Sequence, residues 1–175
     1  MIGVAVGILS VLGFVWLLIL VHEYGHYAAG RMLGVPADSI HVRVAHNPPH
    51  VALRDGEVWL APMDESYAEV FQRHRSGVAP AWSYIAGGSV AESAFALALI
   101  AGLTWSGADG AAVMLARATA ILFAVYLIGD AAVSLTRRAV SGDWSAMYAV
   151  QPVATIGCAA TMAAAKVVTL VWVGP

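Results

Sequence analysis

The sequence predicts an all-α membrane protein with about four transmembrane helices and a small β-hairpin/strand insertion between the first and second. Three observations point there. Apolar residues make up 60% of the 175 and charged residues only 11%, with a mean hydropathy of +0.75; a soluble domain carries about 25% charged residues. Four stretches, roughly 2–22, 82–105, 111–135 and 147–173, are long enough to cross about 30 Å of hydrocarbon as helices. Between the first and second lies the only extended polar region, 38–81, and parts of it alternate apolar and polar residues as strands do. The length suits a single polytopic domain, 1–175. A net charge of −2 argues against nucleic acid as a partner. The single cysteine, Cys158, excludes an intrachain disulfide and a cysteine-based zinc site.

The first span carries Gly3, Gly7 and Gly13, which permit close helix packing. It has no basic segment in front of it and is long for a signal peptide, so it is expected to be a retained anchor. The helix is predicted to run on past the apolar stretch through Leu33, with Gly34 as its stop and Pro36 beyond. In the polar region, 39–44 alternates as a strand and Asn47-Pro48-Pro49 breaks it. Residues 51–54 and 57–60 flank Asp55-Gly56, a pair suited to a tight hairpin turn. Residues 64–75 form a charged connector with helical character, its charge a solvated face. The second span contains Gly87-Gly88-Ser89 and, well inside it, Glu92, which could be a metal ligand but lies near midplane, deeper than the motif, so a pair with Arg117 of the third span is favoured. Asp130 lies near the end of the third span. Lys166 of the fourth is close enough to the interface to snorkel.

Charge placement orients these spans. Of nine Lys and Arg, Arg117 and Lys166 lie inside spans. The other seven, Arg31, Arg43, Arg54, Arg73, Arg75, Arg137 and Arg138, all fall on one side. The positive-inside rule makes that side cytoplasmic and puts both termini opposite.

The chemistry concentrates at the cytoplasmic end of the first span, in His22-Glu23-Tyr24-Gly25-His26. Residues four apart share a helical face, so His22 and His26 can offer two imidazole nitrogens to one metal, and Glu23 can serve as general base. A catalytic zinc needs a third protein ligand. Two aspartates lie on the correct side, Asp130 and Asp143, and spacing alone does not separate them. His46 and His50 could approach the site from their loop, although nothing in the spacing requires it.

The stretch His22-Glu23-Tyr24-Gly25-His26-Tyr27-Ala28-Ala29-Gly30-Arg31 resembles the site-2 protease family of intramembrane zinc metalloproteases. The segment Gly87-Gly88-Ser89 resembles the glycine-bearing middle helix of that family. A later family helix supplies an Asn, often followed by prolines, and then an Asp-Gly whose Asp is the third ligand. Here Asp130 stands near the Asn place, the prolines are missing, and Asp143 is followed by Trp144. The resemblance favours Asp143 as the ligand and Asp130 as its support. It implies a short form without a PDZ-like or nucleotide-binding-like module, in a bacterial inner membrane. It also implies a Zn2+ cofactor and hydrolysis of a peptide bond in a membrane-spanning protein near the cytoplasmic face. The reading leaves room for an accessory partner or a homo-oligomer. The irregular third-ligand motif keeps a second expectation open, a catalytically inactive relative acting as a membrane-embedded regulatory partner.

Overall fold

A computed structural model describes residues 2–174, with side-chain surroundings from Leu9 onward. In chain order the elements are helix α1 (Ile2–Met32), strands β1 (Ile40–Arg43), β2 (His50–Asp55) and β3 (Val58–Leu60), and helices α2 (Tyr67–His74), α3 (Val78–Trp105), α4 (Asp109–Arg137), α5 (Asp143–Val150) and α6 (Pro152–Val173). Among the described residues, four helical segments are long and apolar enough to cross a membrane: Leu9–Met32, Val78–Trp105, Asp109–Arg137 and Pro152–Val173. Large apolar side chains stand outward on them, among them Ile121, Val125 and Ile128 on α4, all more than 60% exposed. Such a surface suits lipid, not water. The chain is a mostly helical, multi-pass membrane protein with a small sheet between its first two membrane helices.

The chain divides into two compact units, the first ending at Glu92 and the second starting at Ser93. In the first unit, α1 stops where Gly34 takes φ +98°. The Val35 N–H then reaches Gly30 O at 3.0 Å and the Gly34 N–H reaches Arg31 O at 3.1 Å, closing the helix in a Schellman motif. The strands form one antiparallel sheet in the order β1-β2-β3. Ile40 faces Leu53 across β1–β2, and Asp55 faces Val58 across β2–β3. The hairpin loop is therefore Gly56-Glu57, one residue later than the predicted Asp55-Gly56, with Gly56 at φ +60° supplying the left-handed conformation. The central strand is buried on both faces, Val51, Ala52 and Leu53 all lying inside, because α1 and α2 both pack on β2. The connector does form a helix, α2, which turns Val70 and Phe71 inward and leaves Glu69 and Arg73 in solvent. Gly13 meets no neighbour. Gly3 and Gly7 lie outside the residues whose side chains are described.

In the second unit α4, α5 and α6 pack on one another. The predicted fourth span, 147–173, is split. Gln151, before Pro152, sits at φ −152°, ψ 86°, so α5 ends at Val150 and α6 begins with Pro152 in its first turn. Proline drives the preceding residue out of helical conformation and is itself favoured at a helix start. Lys166 is 7% exposed and so is buried instead of snorkelling.

Candidate metal centre

The candidate centre is built from α1 and α3, which run antiparallel past each other in the first unit. Two contacts without side chains bring the backbones together. A Cβ on Gly25 would lie 2.4 Å from Gly87 O, and one on Gly87 would lie 2.8 Å from Gly25 O. Only glycine permits that approach. One residue farther along α1, His26 comes level with Tyr84, and about one turn back from Gly25, His22 comes level with Glu92.

Each imidazole is anchored through Nδ1. His26 Nδ1 donates to the Tyr84 carbonyl at 3.0 Å. A carbonyl can only accept, so the proton is on Nδ1 and the lone pair on Nε2. His22 Nδ1 lies 3.3 Å from Glu92 Oε2, and an ionised carboxylate imposes the same tautomer. Both histidines are buried, and their Nε2 atoms face each other at 3.1 Å. Two lone pairs that close in a dry site need a cation or a proton between them. Two nitrogens bound to a tetrahedral zinc at about 2.0–2.1 Å stand roughly 3.3 Å apart, close to the separation found. The neighbouring backbone leaves room, because residue 88 is glycine. A Cβ there would come within 2.5 Å of His26 Nε2 and 2.7 Å of His22 Nε2. The donor set, its tautomers and this recess fit a divalent metal.

Glu23 completes the group. The ligand atoms of His22, Glu23 and His26 all lie within 4.8 Å of one another. Its Oε2 accepts the Val51 N–H at 3.0 Å, which ties the carboxylate to the central strand. The Val51 carbonyl accepts the Tyr67 hydroxyl at 3.0 Å, and that hydroxyl meets the Tyr84 hydroxyl at 2.6 Å. Phe71 stacks on the Tyr84 ring, with centroids 4.5 Å apart. One chain of contacts thus runs from the sheet and α2 through Tyr84 to His26 and back to Glu23. Sequence reasoning missed Tyr84, Tyr67 and Val51, and it gave Glu92 a different partner. Within its own unit Glu92 serves His22. His46 and His50 pack against each other, ring centroids 5.3 Å apart, and His50 Nδ1 lies 3.2 Å from Pro48 O.

Asp130 and Asp143 belong to the second unit. Asp130 is 6% exposed and its carboxylate accepts three hydrogen bonds. Oδ1 accepts the hydroxyls of Ser141 at 2.6 Å and Ser134 at 3.2 Å, while Oδ2 accepts the Ser145 N–H at 2.8 Å. A Cβ on Gly142 would lie 2.9 Å from Asp130 Oδ2, so the turn passes this close only as glycine. Ser145 Oγ accepts the N–H groups of Ser141 and Gly142 at 3.0 and 3.1 Å. Asp143 is the first residue of α5 and is half-buried. Asp130 thus shapes the turn that carries Asp143.

Comparison of the chain with protein-family models, with curated proteins and with solved structures finds no match.

Proposed function

We propose that the chain is an intramembrane zinc metalloendopeptidase of the site-2 protease type. It would cleave a peptide bond of a membrane-spanning protein near the cytoplasmic face, in a step such as regulated intramembrane proteolysis. One observation carries the reading: two buried imidazoles fixed through Nδ1, with Nε2 atoms 3.1 Å apart beside Glu23. His22 and His26 would hold the metal, and the family resemblance implies Asp143 as the third ligand. The three hydrogen bonds that the Asp130 carboxylate accepts from Ser134, Ser141 and Ser145 support its assignment as the residue that shapes the Asp143 turn and not as the ligand. When bound, zinc supplies Lewis acidity toward a carbonyl and lowers the pKa of water.

The protein's own groups do the rest. Glu23 takes a proton from water as its oxygen attacks the scissile carbonyl carbon, then returns that proton to the amine as the C–N bond breaks. The Val51 N–H orients the Glu23 carboxylate for both transfers. The grouping of Arg31, Arg43, Arg54, Arg73, Arg75, Arg137 and Arg138 on one side supports a cytoplasmic centre by the positive-inside rule, and the resemblance suggests a bacterial inner membrane.

The test is metal content and cleavage of a detergent-solubilised transmembrane reporter, wild type beside Glu23→Gln. The wild type should carry one zinc and cut the reporter. The variant should keep the zinc and lose about 10²–10⁴-fold in turnover. Full turnover in Glu23→Gln would overturn the base assignment. Zinc without cleavage in the wild type, or no zinc, would leave the non-catalytic relative as the better reading.

A further inference from the structure

We infer that Glu92 is a positioning residue for the metal ligand His22, and that it sets how tightly the centre holds its metal. This rests on the metal reading above. Glu92 sits in the middle of α3, in a helix otherwise apolar enough to cross a membrane. An ionised side chain there is costly and marks a function by default. The contact it makes is the one to His22 Nδ1 at 3.3 Å.

The geometry separates a positioning role from a ligand role. The two Nε2 atoms face each other and the recess at Gly88. Nδ1 lies at the other side of the His22 ring, and its N–H points away from that recess. The carboxylate therefore acts through the imidazole. It holds the ring in one orientation, keeps the proton on Nδ1, and makes Nε2 a stronger donor. His26 Nδ1 is backed by the neutral Tyr84 carbonyl and His22 Nδ1 by a carboxylate, so the two histidines are unequal ligands, with His22 the more strongly polarised.

The spacing along α3 supports one coordinated design. Tyr84, Gly88 and Glu92 are successive residues four apart, so they lie along one helical face. That face supplies, in order, the acceptor for His26, the recess beside both Nε2 atoms, and the acceptor for His22. The charge balance agrees. A divalent cation across the ring gives the Glu92 carboxylate a countercharge. Metal and carboxylate should therefore stabilise each other.

The experiment uses the full-length protein in detergent. Zinc affinity is measured by competition with a chromogenic chelator, and thermal unfolding is followed in the metal-free state. Glu92→Gln and Glu92→Ala should weaken zinc binding about 10–100-fold. Glu92→Asp should recover part of the loss, and Glu92→Gln should add nothing in a His22→Ala background. The metal-free Glu92→Gln protein should unfold no earlier than the wild type, because the amide oxygen of glutamine can still accept the His22 Nδ1 hydrogen bond. A residue with a merely structural task would show the opposite pattern, with earlier unfolding and unchanged affinity of the folded protein. Wild-type zinc binding with Glu92→Gln within twofold of it would overturn this inference alone. A wild type that binds no zinc would overturn the metal reading as well.

Discussion

Single residues in this chain are defined by what stands behind them. His22 and His26 are the same side chain four residues apart, yet one is backed by a carboxylate and the other by a carbonyl. The two aspartates differ in the same way. Asp130 spends its oxygens on Ser134, Ser141 and Ser145, whereas Asp143 heads α5 on the turn those bonds shape. Their variants should therefore part company. Asp130→Asn removes a charged acceptor from half-buried donors, and hydrogen bonds to charged groups contribute about 1.5–3 kcal/mol each. Its metal-free form should lose stability on that scale. Asp143→Asn should lose zinc while its metal-free unfolding temperature stays near wild type. Zinc analysis paired with thermal melts reads both, and zinc kept by Asp143→Asn but lost by a folded Asp130→Asn would reverse the assignment.

At the scale of elements, the centre depends on how near α3 comes to α1. Gly25 and Gly87 let the backbones touch, and Gly88 leaves the recess beside the imidazoles. Gly88→Ala keeps a helix-forming residue, and alanine is the better helix former by about 1 kcal/mol. Its methyl group would nonetheless stand within 2.5 Å of His26 Nε2. The expected outcome is unchanged helical circular dichroism with at least tenfold weaker zinc binding. Zinc bound as in the wild type would mean that the metal does not occupy the recess. The sheet contributes through one amide. Val51 is on the central strand, where burial on both faces holds it still, and its N–H is what Glu23 leans on. A solvated hairpin tip could not hold a carboxylate so firmly.

For the whole molecule, the decisive features are the four apolar helices and the placement of the arginines. If the arginine-bearing segments are cytoplasmic, the β2–β3 loop and the 136–146 loop share that side, and the α3–α4 turn lies opposite. Single cysteines introduced as Glu57→Cys, Ala139→Cys and Ser106→Cys, in a Cys158→Ala background, test this in intact bacterial cells. A membrane-impermeant maleimide should label Ser106→Cys alone. Labelling of Glu57→Cys and Ala139→Cys, with Ser106→Cys protected, would invert the topology and put the metal centre on the outer side.

The sequence by itself determined the helices, the strands and the pairing of His22 with His26, because each is a local property. Hydrophobic length makes a span, alternation makes a strand, and a spacing of four puts two side chains on one face. Gly34 likewise announced the end of α1, since few other residues accept its φ of +98°. Finer local detail was less legible. The Asp55–Val58 pairing moved the hairpin turn by one residue, and Pro152 cut a continuous apolar run in two. Only the tertiary structure decided what surrounds the centre. Tyr84 lies 58 residues from His26 and Glu92 lies 70 from His22, separations that carry no periodic signal. In the sequence Glu92 stood out as a charge inside a span, and Arg117 was the partner its position suggested. Its contact with His22 became visible once two glycines had let α3 settle against α1, because proximity across a helix pair depends on packing that no local pattern encodes.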